Sequence, residues 1–257
     1  MKAKFLFSIG ILSLSISALA QQKGDPKETE IWSPEPKIVT PGATSADAPS
    51  DAIILFDGKN LDQWSLTDDL AKPAGWTVNG DGSVTVKKGT GTIQTKKNFM
   101  DYQLHIEYKI PATITGSGQA RGNSGIFLAS AGKGDDGYEL QVLDNYNNKT
   151  YVNGQVGSMY KQSIPLANAC KKPGEWQTYD VIWTAPRFND DGSVKSPARV
   201  TAVHNGVLVQ NNYELKGNTP YIGKPVYKKH GPSPIKLQDH GDPSEPISYR
   251  NIWLREL

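Results

Sequence analysis

Apolar and polar residues alternate along much of this chain, with the two-residue period of a strand. The clearest run is residues 102–110. Tyr102, Leu104, Ile106, Tyr108 and Ile110 lie on one side, and Gln103, His105, Glu107 and Lys109 on the other. That predicts a half-buried strand with its polar side turned out. Further strands are expected at residues 53–56, 76–78, 83–86, 124–129, 137–143, 176–184, 198–204, 207–210, 235–239 and 248–257. Turn residues separate them. Asn79-Gly80-Asp81-Gly82 and Asn205-Gly206 each read as a hairpin connection, and Asn189-Asp190-Asp191-Gly192 as a surface turn. His204 abuts one of these turns and reads as a surface residue. No stretch of ten residues carries a helical period. The expected fold is therefore all-β, a single sandwich of two antiparallel sheets over residues 51–257, with about a dozen strands.

The chain before residue 51 has a different texture. Lys2 and Lys4 precede an apolar run over residues 5–19, and Ala18-Leu19-Ala20 is a small-x-small cleavage site. Residues 1–20 thus read as a secretory signal peptide cut after Ala20, which places the product outside the cell or in the periplasm. The run is shorter than the about 20 residues of a membrane span, so none is expected after cleavage. Residues 21–50 hold Pro26, Pro34, Pro36, Pro41 and Pro49 and read as a mobile linker. Removing residues 1–20 takes away two lysines, so 28 basic residues become 26 and match the 26 acidic ones. A neutral chain has no electrostatic reason to bind nucleic acid, and a neutral polar partner such as a sugar fits it better. Cys170 is the single cysteine, which excludes an internal disulfide and a cysteine zinc site. Nothing in the chain points to a protein partner.

Two stretches carry candidate chemistry. In residues 137–144, Glu139, Gln141 and Leu143 share one face, with Arg121 and Asn123 opening the strand before them. A carboxylate beside an amide can grip and deprotonate a polar ligand; the alternative is a solvent-facing strand edge. In residues 235–242, a strand ends on Gln238, Asp239 and His240. His240 can move a proton, bind a metal or simply cap the strand. The chain lacks Gly-x-Ser-x-Gly, His-Glu-x-x-His, a Walker loop and a GxGxxG turn. Asp57-Gly58-Lys59-Asn60 reads as a turn because the later ligands of a calcium loop are missing.

Several blocks together resemble the 3-keto-disaccharide hydrolase family. They are Ile54-Leu55-Phe56-Asp57-Gly58-Lys59-Asn60-Leu61-Asp62-Gln63-Trp64, Gly122-Asn123-Ser124-Gly125-Ile126, residues 138–144, Gly174-Glu175-Trp176-Gln177, Leu237-Gln238-Asp239-His240-Gly241 and Tyr249-Arg250-Asn251-Ile252. The resemblance implies an exported bacterial protein with a concanavalin-like jelly roll. It also implies action on glycosides whose ring is already a ketone at C3. Such a ketone acidifies the C2 proton, so one base and one enolate stabiliser suffice where ordinary glycosidases need two carboxylates. On this reading Glu139 is the base and His240 the acid or a metal ligand. Arg121, Asn123, Gln141, Asp144, Gln238 and Arg250 contact substrate. No cofactor is fixed, and a divalent metal is the alternative to protein donors at the enolate oxygen. Residues 144–172 look most individual and are where substrate choice is expected. The competing class is a non-catalytic lectin on the same fold.

Overall fold

A computed structural model describes residues 24–130 and 132–257, so the expected signal peptide lies outside the described residues. Residues 24–38 belong to one unit, with a short 3-10 turn at Pro26–Glu28 that Asp25 caps through Lys27 N at 3.0 Å. The second unit runs Val39–Leu257 and holds fifteen strands. They are β1 (Ile53–Phe56), β2 (Trp64–Leu66), β3 (Thr77–Val78), β4 (Val84–Thr85), β5 (Ile93–Thr95), β6 (Tyr102–Lys109), β7 (Ser124–Phe127), β8 (Glu139–Val142), β9 (Trp176–Thr184), β10 (Arg187–Phe188), β11 (Val194–Ser196), β12 (Arg199–His204), β13 (Val207–Glu214), β14 (Lys236–Leu237) and β15 (Ser248–Glu256). No α-helix forms among the described residues.

One sheet has eight strands in the order β13-β12-β9-β6-β15-β4-β3, with β1 also on β15. The other has five, β2-β5-β14-β7-β8, and β10-β11 is a separate hairpin. All pairings are antiparallel. Both expected hairpins form. The Asn189–Gly192 turn also closes a hairpin, β10-β11, where only a turn was expected.

The core lies between the two sheets, and buried tyrosines tie them together. Tyr102, Tyr179 and Tyr249 come from the larger sheet. Their hydroxyls donate to Leu128 O at 2.6 Å, Gln141 O at 2.8 Å and Ser124 Oγ at 2.8 Å across the sandwich. Each thus buries a ring and still satisfies its polar tip. Trp64, fully buried, bonds back to Leu55 O at 2.8 Å, so the first family-like block closes on itself. Gly58 holds φ 90, and a Cβ there would meet Gly82 at 2.8 Å, so only glycine fits that turn.

Two expectations on exposure are corrected. His105 and Glu107 sit on the side of β6 expected to face water, yet both are buried. Local cover explains it. His105 stacks on Trp253 at 5.2 Å and bonds Asp180 at 2.7 Å. Glu107 accepts from Arg250 Nε at 2.7 Å and Asn251 Nδ2 at 2.9 Å. Asn251 and Trp253 also donate to Ala46 O, at 2.8 and 2.9 Å, so residues before β1 pack here. Burial opposes the charge on each, but the hydrogen bonds outweigh it. His105 is raised to about 9 and Glu107 lowered to about 2. His204 is not a surface residue. It is fully buried between Tyr108 and Tyr179, with Tyr108 Oη 2.8 Å from its Nε2.

Candidate functional site

Cross-strand register assembles the site. Phe127 on β7 pairs with Glu139 on β8 and with Lys236 on β14. Gly125 pairs with Gln141, and Gln238 N donates to Gly125 O at 3.0 Å. Residues two apart on a strand share a face. Glu139, Gln141, Gly125, Lys236 and Gln238 therefore lie together, on the face away from the core-facing Ile126, Leu140, Val142 and Leu237. Two neighbouring strands and a third from far along the chain become one surface.

Glycine at 125 opens a gap in that surface, and the Glu139 carboxyl folds into it. A Cβ on Gly125 would stand 2.6 Å from Glu139 Oε1. β8 is the edge of its sheet, but it does not face solvent. Gln141 N donates to Ser158 O and Tyr160 N to Glu139 O, both at 3.0 Å, so residues 151–163 cover the edge. Between this cover and the sheet lies a cavity of about 510 Å³. Its polar lining includes Glu139, Gln141, Asn123, Gln238, His240 and Gln119. Tyr151, Tyr160 and Tyr221 form an aromatic wall.

Glu139 is 6% exposed, and burial, with a smaller contribution from Asp135, pushes its carboxyl up to about 8. Among the described residues no hydrogen bond or ion pair reaches that carboxyl. Three amide oxygens in the same lining are buried without a protein donor: Asn123 Oδ1, Gln141 Oε1 and Gln238 Oε1. A buried acceptor left unpaired costs about 1–3 kcal/mol, so these oxygens suit water or a ligand that brings donors, as hydroxyl groups do.

His240 is held at both ring nitrogens. Asn123 Nδ2 is 3.2 Å from Nε2, and Asp242 Oδ2 is 3.3 Å from Nδ1. The amide can only donate, so Nε2 accepts and the ring proton sits on Nδ1 toward Asp242. Burial opposes ionisation of Asp242, but hydrogen bonds from His240 and Ser244 prevail and hold its carboxyl below the usual range. Asp239, the sequence neighbour of His240, turns instead to Gly89 N at 2.9 Å and Gly91 N at 3.2 Å.

Five of the eight expected site residues meet here: Glu139, Gln141, Asn123, Gln238 and His240. Arg121, Asp144 and Arg250 do not line this cavity. Arg121 Nε pairs with the fully buried Asp144 at 2.5 Å and lines a separate cavity of about 460 Å³ beside Lys172. Asp144 Oδ1 also accepts from Tyr146 N at 2.9 Å, so it closes the turn after β8. Arg250 lies against Trp176, with its guanidinium carbon 4.1 Å from the ring centroid, and pairs with Glu107. Sequence reasoning missed Asp242, Gln119 and the three tyrosines. Tyr151 and Tyr160 do fall within residues 144–172, where substrate choice was expected. Among the described residues no three His, Cys, Asp or Glu side chains gather as a metal site.

Residues 51–255 match the family described as 3-keto-alpha-glucoside-1,2-lyase-like domain. A crystal structure of a candidate glycosyl hydrolase from Parabacteroides distasonis is 55% identical, with TM-score 0.84, covering 91% of this chain and 97% of that one. Two further candidate glycosyl hydrolases from that organism share the fold. One is 20% identical with TM-score 0.56, covering 80% of this chain and 94% of its own. The other is 22% identical with TM-score 0.55, covering 80% and 99%. No curated protein sequence matches the chain.

Proposed function

This chain belongs to the 3-keto-alpha-glucoside-1,2-lyase-like family of carbohydrate-acting proteins, and from that premise we propose that it cleaves 3-keto-glycosides with Glu139 as the base. One observation carries the reading. Among the described residues, a buried carboxyl with no hydrogen-bond or ion-pair partner faces a cavity in which three amide oxygens also lack donors. Sugar hydroxyls would supply those donors, and the carboxyl is left free for a proton.

The chemistry runs in balanced steps. Glu139 takes the C2 proton, and the C–H electrons form a C2=C3 double bond with an oxyanion on C3. The oxyanion electrons return, the C1–O bond breaks, and a C1=C2 enone remains. His240 acts here as the imidazolium, with Nδ1–H held by Asp242 and Nε2–H turned away from Asn123, and gives its Nε2 proton to the departing oxygen. Water then adds across C1=C2: its hydroxyl goes to C1, its proton restores His240, and Glu139 returns its proton to C2, so the net result is hydrolysis. The Gln238 amide N–H is the protein donor assigned to the C3 oxyanion. A divalent metal there is the alternative, and adding and chelating one distinguishes the two. The segment ending in Ala18-Leu19-Ala20 supports export of the product of cleavage after Ala20.

The test is release of the C1 substituent from a 3-keto-glucoside. Wild type should release it, with kcat/KM rising as pH climbs toward about 8, where Glu139 ionises. Glu139→Gln should lose at least about a hundredfold in rate while still binding the sugar. A lectin on this fold would bind without release in both proteins, and full activity in Glu139→Gln would overturn the assignment.

A further inference from the structure

The polar floor of the cavity and its aromatic wall differ in kind. The unpaired acceptors all belong to Asn123, Gln141 and Gln238 on the sheet side. The covering loops bring mainly rings. Tyr151 and Tyr160 hydroxyls bond each other at 2.5 Å, which uses one of the two O–H donors and leaves the other, with both ring faces, toward the cavity. Tyr221 is 73% exposed, and its neighbour Ile222 is 82% exposed. Val152, beside Tyr151, is also exposed.

Lys161 organises these rings. Its Nζ lies 4.2 Å from the Tyr221 ring centroid, 5.4 Å from Tyr160 and 5.7 Å from Tyr151, and it donates to Tyr221 O at 2.5 Å. The same residue holds φ 57, a left-handed conformation unusual for a lysine, fixed by its N–H on Asn153 O at 2.7 Å. A strained backbone and a half-buried cation thus serve to hold three rings around one opening. Tyr151 and Tyr160 line the same cavity as Glu139, so the rings border its reacting end.

We infer that the C1 substituent is a neutral aromatic group, stacked against Tyr221 and Tyr151, so that the substrates are aryl 3-keto-glycosides. This rests on the proposed cleavage. A second sugar at that position would need partners for its hydroxyls; on this wall three tyrosine rings stand beside only Asp135 and Thr219 as polar side chains, with Gln119 already bonded to Thr150 and Gly154. An aromatic aglycone needs a ring face, and stacking supplies it. Asp135, also in the lining, disfavours an anionic one.

The experiment compares two 3-keto-glucosides, one with a nitrophenyl and one with a glucosyl leaving group, on the full-length protein. The readout is the aryl-to-glucosyl ratio of kcat/KM. Tyr221→Ala should lower that ratio about tenfold, the size of a lost ring contact. Tyr221→Phe should keep it. The exposed Tyr221 side chain makes no hydrogen bond among the described residues, and circular dichroism checks that Tyr221→Ala folds. An unchanged ratio in Tyr221→Ala, or turnover of the glucosyl compound alone by wild type, overturns the inference and leaves the cleavage reading standing. Failure of wild type on both compounds overturns the cleavage reading, and this one falls with it.

Discussion

At the residue scale, Gly125 matters as much as Glu139. Its φ is not left-handed; what it supplies is space, since a methyl there would stand 2.6 Å from Glu139 Oε1. Gly125→Ala should therefore displace the carboxyl from the cavity floor. The expected result is a loss of activity approaching that of Glu139→Gln, with a stability cost of about 1–3 kcal/mol from overpacking. Retained rate in a folded Gly125→Ala protein would show that the carboxyl has freedom to move. Alternation on residues 137–143 was enough to put Glu139 and Gln141 on one face. It could not show the three orphaned amide oxygens, because orphaning depends on what every neighbouring loop fails to donate. Nor could it show that Arg121 and Asp144 pair with each other outside this cavity. A charged pair satisfied by each other looks, in sequence, like two available ligands.

At the scale of elements, the long strands were legible and the short ones were not. β9 and β12 follow their alternation closely because both run through the middle of the larger sheet. β2 and β5 have three residues each, too few for a period; β5 is held between β2 and β14, and β2, at the sheet edge, is held by β5. His204 shows the same logic. The Asn205-Gly206 turn beside it signals surface, but the inward register of β12 places the ring between Tyr108 and Tyr179. Burial, aided by the charge of Lys171, depresses its pKa to about 3. The unfolded chain takes up that proton near 6.5 and the folded one resists it, so this stability is present above 6.5 and is lost as pH falls toward 3. Wild type should lose about 2 kcal/mol between pH 7 and 5 that His204→Gln does not lose. Parallel melting of the two proteins at both pH values checks it, and identical pH slopes would refute it.

At the scale of the whole molecule, the fold class was readable because turn residues recur between short apolar runs and no helical period competes. The pairing order was not, since the contacts that bring β14 between β5 and β7 are non-local. That placement has a kinetic consequence. Two residues of β14, with Gln238 and His240 just beyond them, are added to a surface whose other parts lie far earlier in the chain. Ring closures of that length are slow to form, and chains of this size pass through incomplete states. Catalytic power should thus be among the last properties regained on refolding from urea, never ahead of near-ultraviolet circular dichroism. Activity returning in an earlier phase would disprove this. A chain that has formed most of its strands but has not yet seated β14 would then be largely folded and still carry no working site.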